Sequence, residues 1–482
     1  MKKYILTLGL AAVTSLGFVS CEDSLNNQPF DSQDPSGVFS NPAGFESAMR
    51  GVYSGFTGID DEMYGVYLGG ASNILGDLLA DNLIISQNGR FTNKANHEWT
   101  YGANTSPFLY ADGYKVIFRA NAILDNINRL DDGNFKDNIE GEALASRALA
   151  MFDMAKMYAK IPTQSADANA SLGVAIQTTA NAFSLPIRNT VAETYTAIIT
   201  DLELAKDLIA TDNGLGRFNK NTVNGLLSRA YLYNGEMQKC IDAANAVTAN
   251  VTTFADFPGV WKDVENSNEG VLSRLVLTSV DNVDIGTQYS QTLESGVKSE
   301  FVADFDFYNL YQNTDVRKDA YFQTSIYAGA NYNHIAKHFG KTGQTNNTVD
   351  HKVIRMAEVM LNKAEAYADP SVGNDALALQ ALDAVRSERY TAFVSGNETG
   401  NALKTAIALE RRLELAFEGH RFYDLKRTGQ SVVRSATNGE FADGTGSPAT
   451  GTLLSAGDHR FQLPIPQDAI NANTNTVQNP GY

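Results

Sequence analysis

Between Glu410 and Arg427 lies the densest set of groups able to move protons: Glu410, Glu414, Glu418 and His420, interleaved with Arg411, Arg412, Arg421 and Arg427. Two carboxylates, or a carboxylate and an imidazole, are the parts of an acid–base pair such as a glycosidase uses. The spacing argues for another role. Glu410/Glu414 and Glu414/Glu418 are i,i+4 pairs, which puts them on one helix face with Arg411, Arg412 and Arg421 as partners. Ion pairs that fix the C-terminal helices then account for the motif, and no catalytic residue is assigned. His334 and His338 are four apart and would converge on a metal from a helix face. No Glu follows the first His, however, and the neighbouring Gly and Asn disfavour a helix, so they read as loop histidines. Asp60-Asp61-Glu62 and Asp304/Asp306 are acidic enough to hold Ca²⁺ but lack the spacing of a dedicated calcium loop. The sequence has no Gly-rich phosphate loop, nucleophile elbow or zinc cluster, so no metal or cofactor is expected.

The elements that would carry such residues are mostly helices. Asn41 is an N-cap followed by Pro42, and Phe45, Ala48, Met49, Val52, Tyr53 and Phe56 recur at helix spacing. Tyr110, Tyr114, Ile117, Leu124 and Ile127 mark a second helix; Leu144, Ala148, Met151, Phe152, Ala155 and Tyr158 mark a third, closed by Pro162. Thr190 to Glu193 has the form of a capping box, and two further helices flank Gly235. Leu226-Leu227-Ser228-Arg229-Ala230-Tyr231 is echoed by Met360 to Tyr367 and by Ser146-Arg147-Ala148. Small residues where helices approach, followed by Tyr, predict helical hairpins of tetratricopeptide type with an irregular period. The segment 252–350 breaks the pattern: it is rich in Gly, Asn, Asp, Ser and Tyr, with short runs such as Val271 to Thr278 that suit strands. Asn438 to Gly457 forms a second long loop. The expected fold is mainly α, a helical-hairpin scaffold carrying a loop-rich subdomain with a few short strands, and such loops are where binding sites sit.

A chain of 482 residues can bury a large core. Its 38 Lys+Arg against 55 Asp+Glu, a formal net charge of -17, argues against a nucleic-acid footprint or polyanion capture by bulk electrostatics. Lys2 and Lys3 precede an apolar stretch, Tyr4 to Val19, too short and too rich in small residues for a good membrane span. Gly17-Phe18-Val19-Ser20-Cys21 follows and resembles a bacterial lipobox; cleavage before Cys21 would leave that thiol for lipid attachment, the alternative being an ordinary secretory signal. Glu22 to Gly37 is polar and suits a tether between lipid and body. Cys240 is the only other cysteine, sits in an apolar helical pattern and reads as a small core residue, so no disulfide framework is expected.

Leu409-Glu410-Arg411-Arg412-Leu413-Glu414-Leu415-Ala416-Phe417-Glu418-Gly419-His420-Arg421-Phe422-Tyr423-Asp424-Leu425-Lys426-Arg427 resembles the C-terminal signature of the SusD/RagB family. Leu463-Pro464-Ile465-Pro466 with Gln478-Asn479-Pro480-Gly481-Tyr482 resembles that family's chain end. Arg355 to Ala366, Thr314-Asp315-Val316-Arg317, Arg119-Ala120-Asn121 and the lipobox extend the resemblance over essentially the whole chain. It implies a signal peptide over 1–20, a tether over 21–38, a helical region over 39–251, a ligand-facing segment over 252–350 and a C-terminal region over 351–482. It further implies a non-enzymatic lipoprotein on the outer face of the outer membrane. There it would bind an oligosaccharide, or a peptide in the RagB branch, and deliver it to a SusC-like TonB-dependent β-barrel transporter.

Sugar binding needs an aromatic ring against the apolar C–H face of a pyranose, with amide, carboxylate or guanidinium groups for the hydroxyls. Trp99 is the first candidate, with Tyr101 and Asn104 beside it and Asp81 in support; the resemblance implies a Trp and an Asn of this region in the ligand site. Tyr289, Tyr327 and Tyr332 of the interrupting segment are the others, whereas Trp261 reads as packing. With only 2 Trp, the chain is expected to hold a glycan other than starch or to use a more polar groove. The rival readings are a peptide-binding protein of the same architecture, a helical glycosidase and a helical-repeat adaptor.

Overall fold

The computed structural model describes residues 35–482 apart from 59–66, 106–108, 215, 279, 282, 284 and 342–346. The signal segment, Cys21, most of the tether and Asp60-Asp61-Glu62 lie outside the described residues. From residue 42 the helices run α1 (Pro42–Thr57), α2 (Ala71–Leu78), α3 (Leu109–Asn126), α4 (Asn134–Tyr158), α5 (Val191–Leu208), α6 (Lys220–Asn234) and α7 (Met237–Asn245). They continue as α8 (Met356–Ala368), α9 (Asp375–Arg386), α10 (Gly400–Glu414), α11 (Arg421–Arg427) and α12 (Gln467–Ala472), with single-turn pieces between. Chain neighbours pack on one another, α3 on α4, α4 on α5, α5 on α6 and α6 on α7, and α8 then stacks on α7, α9 and α10. This is the tetratricopeptide-like scaffold of helical hairpins expected from the repeated small-residue motif.

Local chemistry sets where these helices start and stop. Asn41 accepts from Gly44 N, and Thr190 and Glu193 form the reciprocal capping box that opens α5. Gly235 (φ 81°) closes α6 in the left-handed conformation that lets α7 fold back, a backbone state glycine adopts without a Cβ penalty. The stripe Phe45, Met49, Val52 and Phe56 is wholly buried, as its spacing requires. Cys240 is buried too, and burial pushes its thiol well above the ordinary range, so it behaves as an apolar core group.

The segment 252–350 is more ordered than its composition suggests. A four-stranded antiparallel sheet has the order β1-β5-β7-β6, with β1 Leu83–Ile85, β5 Phe301–Ala303, β6 Phe322–Tyr327 and β7 Ala330–Ile335. β3 (Ser290–Leu293) pairs β4 (Gly296–Ser299), and β2 (Val271–Leu275) pairs β8 (His351–Arg355). β1 comes from the N-terminal helical stretch and β8 from beyond residue 350, so both ends of the segment are stitched into neighbouring regions by backbone hydrogen bonds.

The Glu410 motif is structural, but its partners differ from those expected. α10 ends at Glu414 and Phe417 takes φ 63°, so Glu418 leaves the helix and is not an i,i+4 partner of Glu414. Glu414 instead receives Arg389 at 2.8 and 3.0 Å, Arg355 at 2.7 Å and Arg317 at 3.2 Å, all from other segments. Glu418 receives Arg355 and Lys337 at 2.5 and 2.8 Å. Burial alone would raise both carboxyls; the surrounding Arg charges outweigh it, holding Glu414 far below the carboxylate range and Glu418 at about 2. Lys337 lies 4.0 Å from the ring centre of Trp261, which is buried and packs as expected. His334 lies on β7, its Nδ1 2.7 Å from Ser299 Oγ, and His338 Nε2 is 2.9 Å from Phe417 O; they do not share a helix face. No group of three or more metal-ligating side chains occurs among the described residues. Burial depresses both imidazoles, to about 4 and about 3, so they are neutral at physiological pH.

Candidate functional site

The seven ligand candidates do not converge on one surface. Trp99, 3% exposed, has φ 55°, a left-handed backbone that costs a bulky residue free energy and must be held by its surroundings. What holds it is internal: Nε1 donates to Leu79 O at 2.9 Å and the Arg434 guanidinium lies 4.1 Å over the ring. A Cβ built on Gly451 would sit 3.3 Å from the ring, so the 438–457 loop packs against the indole. Arg434 ties the same place together, donating to Ala80 O, His97 O and Gly451 O at 2.7, 2.6 and 3.1 Å. Trp99 therefore presents no open face to a sugar in this structure: the ring is buried, with the Arg434 guanidinium over it and Gly451 of the 438–457 loop against its edge.

Its neighbours are likewise used inside. Tyr101 is buried and donates to Arg460 O at 2.6 Å. Asp81 pairs with Arg421 at 2.7 and 2.9 Å and with Arg412 at 3.3 Å. Burial alone would raise the Asp81 carboxyl, but hydrogen bonds from Arg421 and the charge of Arg412 hold it below its usual value. Tyr289 has no exposed surface and stacks on His338 at 5.6 Å and 15°. These three stabilise the body, because tertiary contacts consume the polar groups and faces a ligand would need. Nearby, Gly76 abuts Gly419 so closely that a Cβ on it would fall 2.0 Å from the Gly419 carbonyl oxygen. Asp77 accepts from Gly419 N at 2.9 Å there, and burial raises its carboxyl to about 6.

Tyr327 and Tyr332 come together with residues not singled out beforehand. β6 and β7 are joined through Ala328 and Gly329 (φ 48° and 89°), the two-residue turn whose twist suits a tight hairpin. Against β7 lies the 438–457 loop: Ala442 N donates to Asn331 O at 2.9 Å, and Phe441 N to Thr445 O at 3.0 Å. Between hairpin and loop opens a cleft of about 540 Å³ lined by Thr324, Gly329, Ala330, Asn331, Phe441, Ala442 and Asp443. Phe441 is half-buried and meets the Tyr332 ring edge-on at 5.3 Å. Tyr332 is buried beneath it, its hydroxyl accepting from Asn88 Nδ2 at 2.7 Å, and half-buried Tyr327 packs on the same cluster.

The lining thus offers one aromatic ring, an amide and a hydroxyl, with one carboxylate and no cationic side chain. Asp443 is fully exposed, and hydrogen bonds from the Thr445 hydroxyl and backbone N–H lower its carboxyl below the usual range. This chemistry suits a hydroxyl-rich neutral ligand. A glycosidase needs two carboxyl groups about 5 to 9.5 Å apart, and this lining has one. Asn104 stands elsewhere, exposed at a second cleft of about 620 Å³ whose walls include Tyr110, Tyr114, Gln177, Asp468 and Asn473. Phe441 was not among the sequence candidates, only inside the long loop from Asn438 to Gly457; that it faces β7 depends on a hydrogen bond between residues 111 apart in sequence, Ala442 to Asn331, which periodicity cannot show.

A family model described as the SusD family matches residues 260–482, and one described as starch-binding associating with outer membrane matches residues 52–232. A SusD-like protein P2 of Formosa agariphila is 24% identical, the alignment covering 100% of both chains. Among solved structures, a SusD superfamily protein of Bacteroides thetaiotaomicron superposes with a TM-score of 0.78 at 26% identity, covering 91% of this chain and 100% of that one. A SusD-like carbohydrate binding protein of Bacteroides vulgatus gives 0.78 at 21% identity, covering 91% and 98%.

Proposed function

This chain is a SusD-like family protein, and from that premise we propose that it captures oligosaccharides at the cell surface and hands them, chemically unaltered, to a SusC-like TonB-dependent β-barrel transporter. The observation that carries the reading is the cleft between the β6–β7 hairpin and the Phe441 loop. Phe441 supplies a ring for the C–H face of a pyranose, while Asn331, Thr324 and Asp443 supply amide, hydroxyl and carboxylate groups for its hydroxyls. The absence of cations from the lining favours a neutral glycan over a sulfated or uronic one at this cleft. The B. vulgatus neighbour described as carbohydrate binding and the starch-binding description of one family model support the same ligand class.

In this reading Cys21 is acylated, residues 22–38 are the tether, and the body stands outside the outer membrane. No helix among the described residues is long and apolar enough to cross a bilayer. Titration calorimetry of the mature chain without its lipid-bearing cysteine, residues 22–482, against neutral oligosaccharides and against peptides tests the ligand class. Saturable glycan binding that is lost in Phe441→Ala supports it; binding of peptides alone moves the chain to the RagB-type alternative. Release of reducing sugar by wild-type protein, abolished by one Asp or Glu substitution, would show a hydrolase instead. Copurification of a large β-barrel with the tagged chain from detergent-solubilised outer membranes tests the partner, and incorporation of labelled palmitate, lost in Cys21→Ala, tests the anchor.

A further inference from the structure

The segment that leads the chain into α5 exposes apolar side chains in alternation. Phe183, Leu185 and Ile187 are 93, 55 and 68% exposed, while Ser184 and Pro186 between them line the second cleft, of about 620 Å³. The chain end lies alongside. Asn473 and Asn475 donate to Pro186 O and Leu185 O, both at 2.8 Å, and Arg188 donates to Val477 O at 2.9 Å. Val477, 59% exposed, thereby joins the same face. Exposed apolar residues scattered singly are ordinary, but four on adjoining segments form a patch of the kind that marks an interaction site.

Two further observations set this face apart. Residues 168–187 and 469–481 contain no Asp, Glu, Lys or Arg, in a chain where these make up 19%. Depletion of charge is the compositional mark of an interface core. The patch is also preformed. Asn181 accepts from the Phe183 N–H through its side chain at 3.0 Å and from the Ser184 N–H through its carbonyl at 3.2 Å. Buried Arg188 clamps both segments, donating to Gly173 O, Val477 O and Asn479 Oδ1 at 2.8, 2.9 and 2.9 Å. A surface held in this way loses little conformational freedom on docking.

The missing charges also select the occupant. A lipid surface calls for Lys or Arg around the apolar residues, and the two segments have none. A second copy of this chain would bring another net charge of -17 against the first. What fits is a different protein with an equally uncharged, apolar face, because a charge set against this patch would be buried without a partner. Resting on the functional reading above, we infer that this face docks the TonB-dependent β-barrel transporter, with Phe183 and Ile187 as its apolar anchors.

The test is recovery of the barrel, identified by mass spectrometry as a TonB-dependent transporter, with the tagged full-length lipoprotein from outer membranes solubilised in mild detergent. The double variant Phe183→Glu, Ile187→Glu is expected to cut the barrel recovered per tagged chain about tenfold or more, and Val477→Asp on the neighbouring segment to lower it severalfold. Val394→Glu, at a site 84% exposed and outside the patch, leaves recovery at the wild-type level. A barrel retained in full by both patch variants overturns the proposal and leaves the transporter partnership standing. No barrel with wild type overturns the partnership itself, and this docking face with it. Flotation of residues 22–482 with phospholipid vesicles, or a concentration-dependent dimer in sedimentation, either one lost in the double variant, assigns the patch to a membrane or to a second copy and overturns the proposal as well.

Discussion

Around Glu414, Arg317, Arg355 and Arg389 meet the carboxylates of Glu414 and Glu418 with almost no exposed surface, whereas around Phe441 a single carboxylate stands in open solvent beside a half-buried ring. The first region has all the marks of an active site in its residue types and depressed carboxyls, yet each charge there is answered by another charge drawn from a distant segment. The second is sparsely charged and has unfilled space. Perturbed titration follows from dense ion pairing as readily as from catalysis, and what separates the two is whether an acceptor, a donor or a face is left for a ligand.

The sharpest way to break that contrast is Glu414→Ala. Removing the shared carboxylate leaves buried Arg389 without an acidic partner and takes one of several from Arg317 and Arg355, and the variant is expected to lose about 3 to 5 kcal/mol of stability, measured by urea unfolding. If it stays as stable as wild type and instead loses ligand binding alone, the network belongs to function and the contrast fails. A pH series tests the same region in wild type. Glu418 and Asp424, each held at about 2 in the folded protein, are stabilising while ionised. Because their folded values lie below their unfolded ones, this stability is present above about pH 4.5 and drains away as pH falls toward 2, so the unfolding midpoint should drop through that window.

Trp99→Ala stands between the regions. Loss of a buried indole is expected to cost about 3 kcal/mol, and because the loop rests on that ring, glycan affinity should fall with it; rescue of both by Trp99→Phe would mark a positioning role. Phe441→Ala should do the reverse: a stability change within about 1 kcal/mol with glycan affinity down about tenfold, since one ring–sugar contact is lost from a half-open cleft. The smallest effect is expected from Tyr327→Ala, a few-fold in affinity, because that ring supports the cluster from its edge. Equal responses to Phe441→Ala and Tyr327→Ala would place the ligand over the hairpin instead of in the cleft.

Much of the scaffold was legible in the sequence. Helix caps and 3.6-residue stripes are local rules, so Asn41, Thr190 and Gly235 are found where expected, and the small-residue motif foretold hairpin packing. The site was legible only in outline. An aromatic's type and loop context identify Trp99 and Tyr289 as candidates, yet these are covered by Arg434 and His338, whereas Phe441, which was not singled out, has space before it. The Glu410 motif forms ion pairs, as its residue types predict, but helix spacing points to the nearest arginines as partners, whereas Arg317, Arg355 and Arg389 arrive from three other segments.

Residue order by itself determined the helices, the dominant α architecture and the acidic charge, because capping, periodicity and composition act over a few residues or over none. Which side chains meet a ligand was decided only when β1, β5, β7 and β6 paired and the 438–457 loop settled on Trp99 and β7. Exposure of a ring is a property of what packs over it, and the groups that pack on these rings come from other segments of the chain, 49 residues away for Tyr289 and 352 for Trp99.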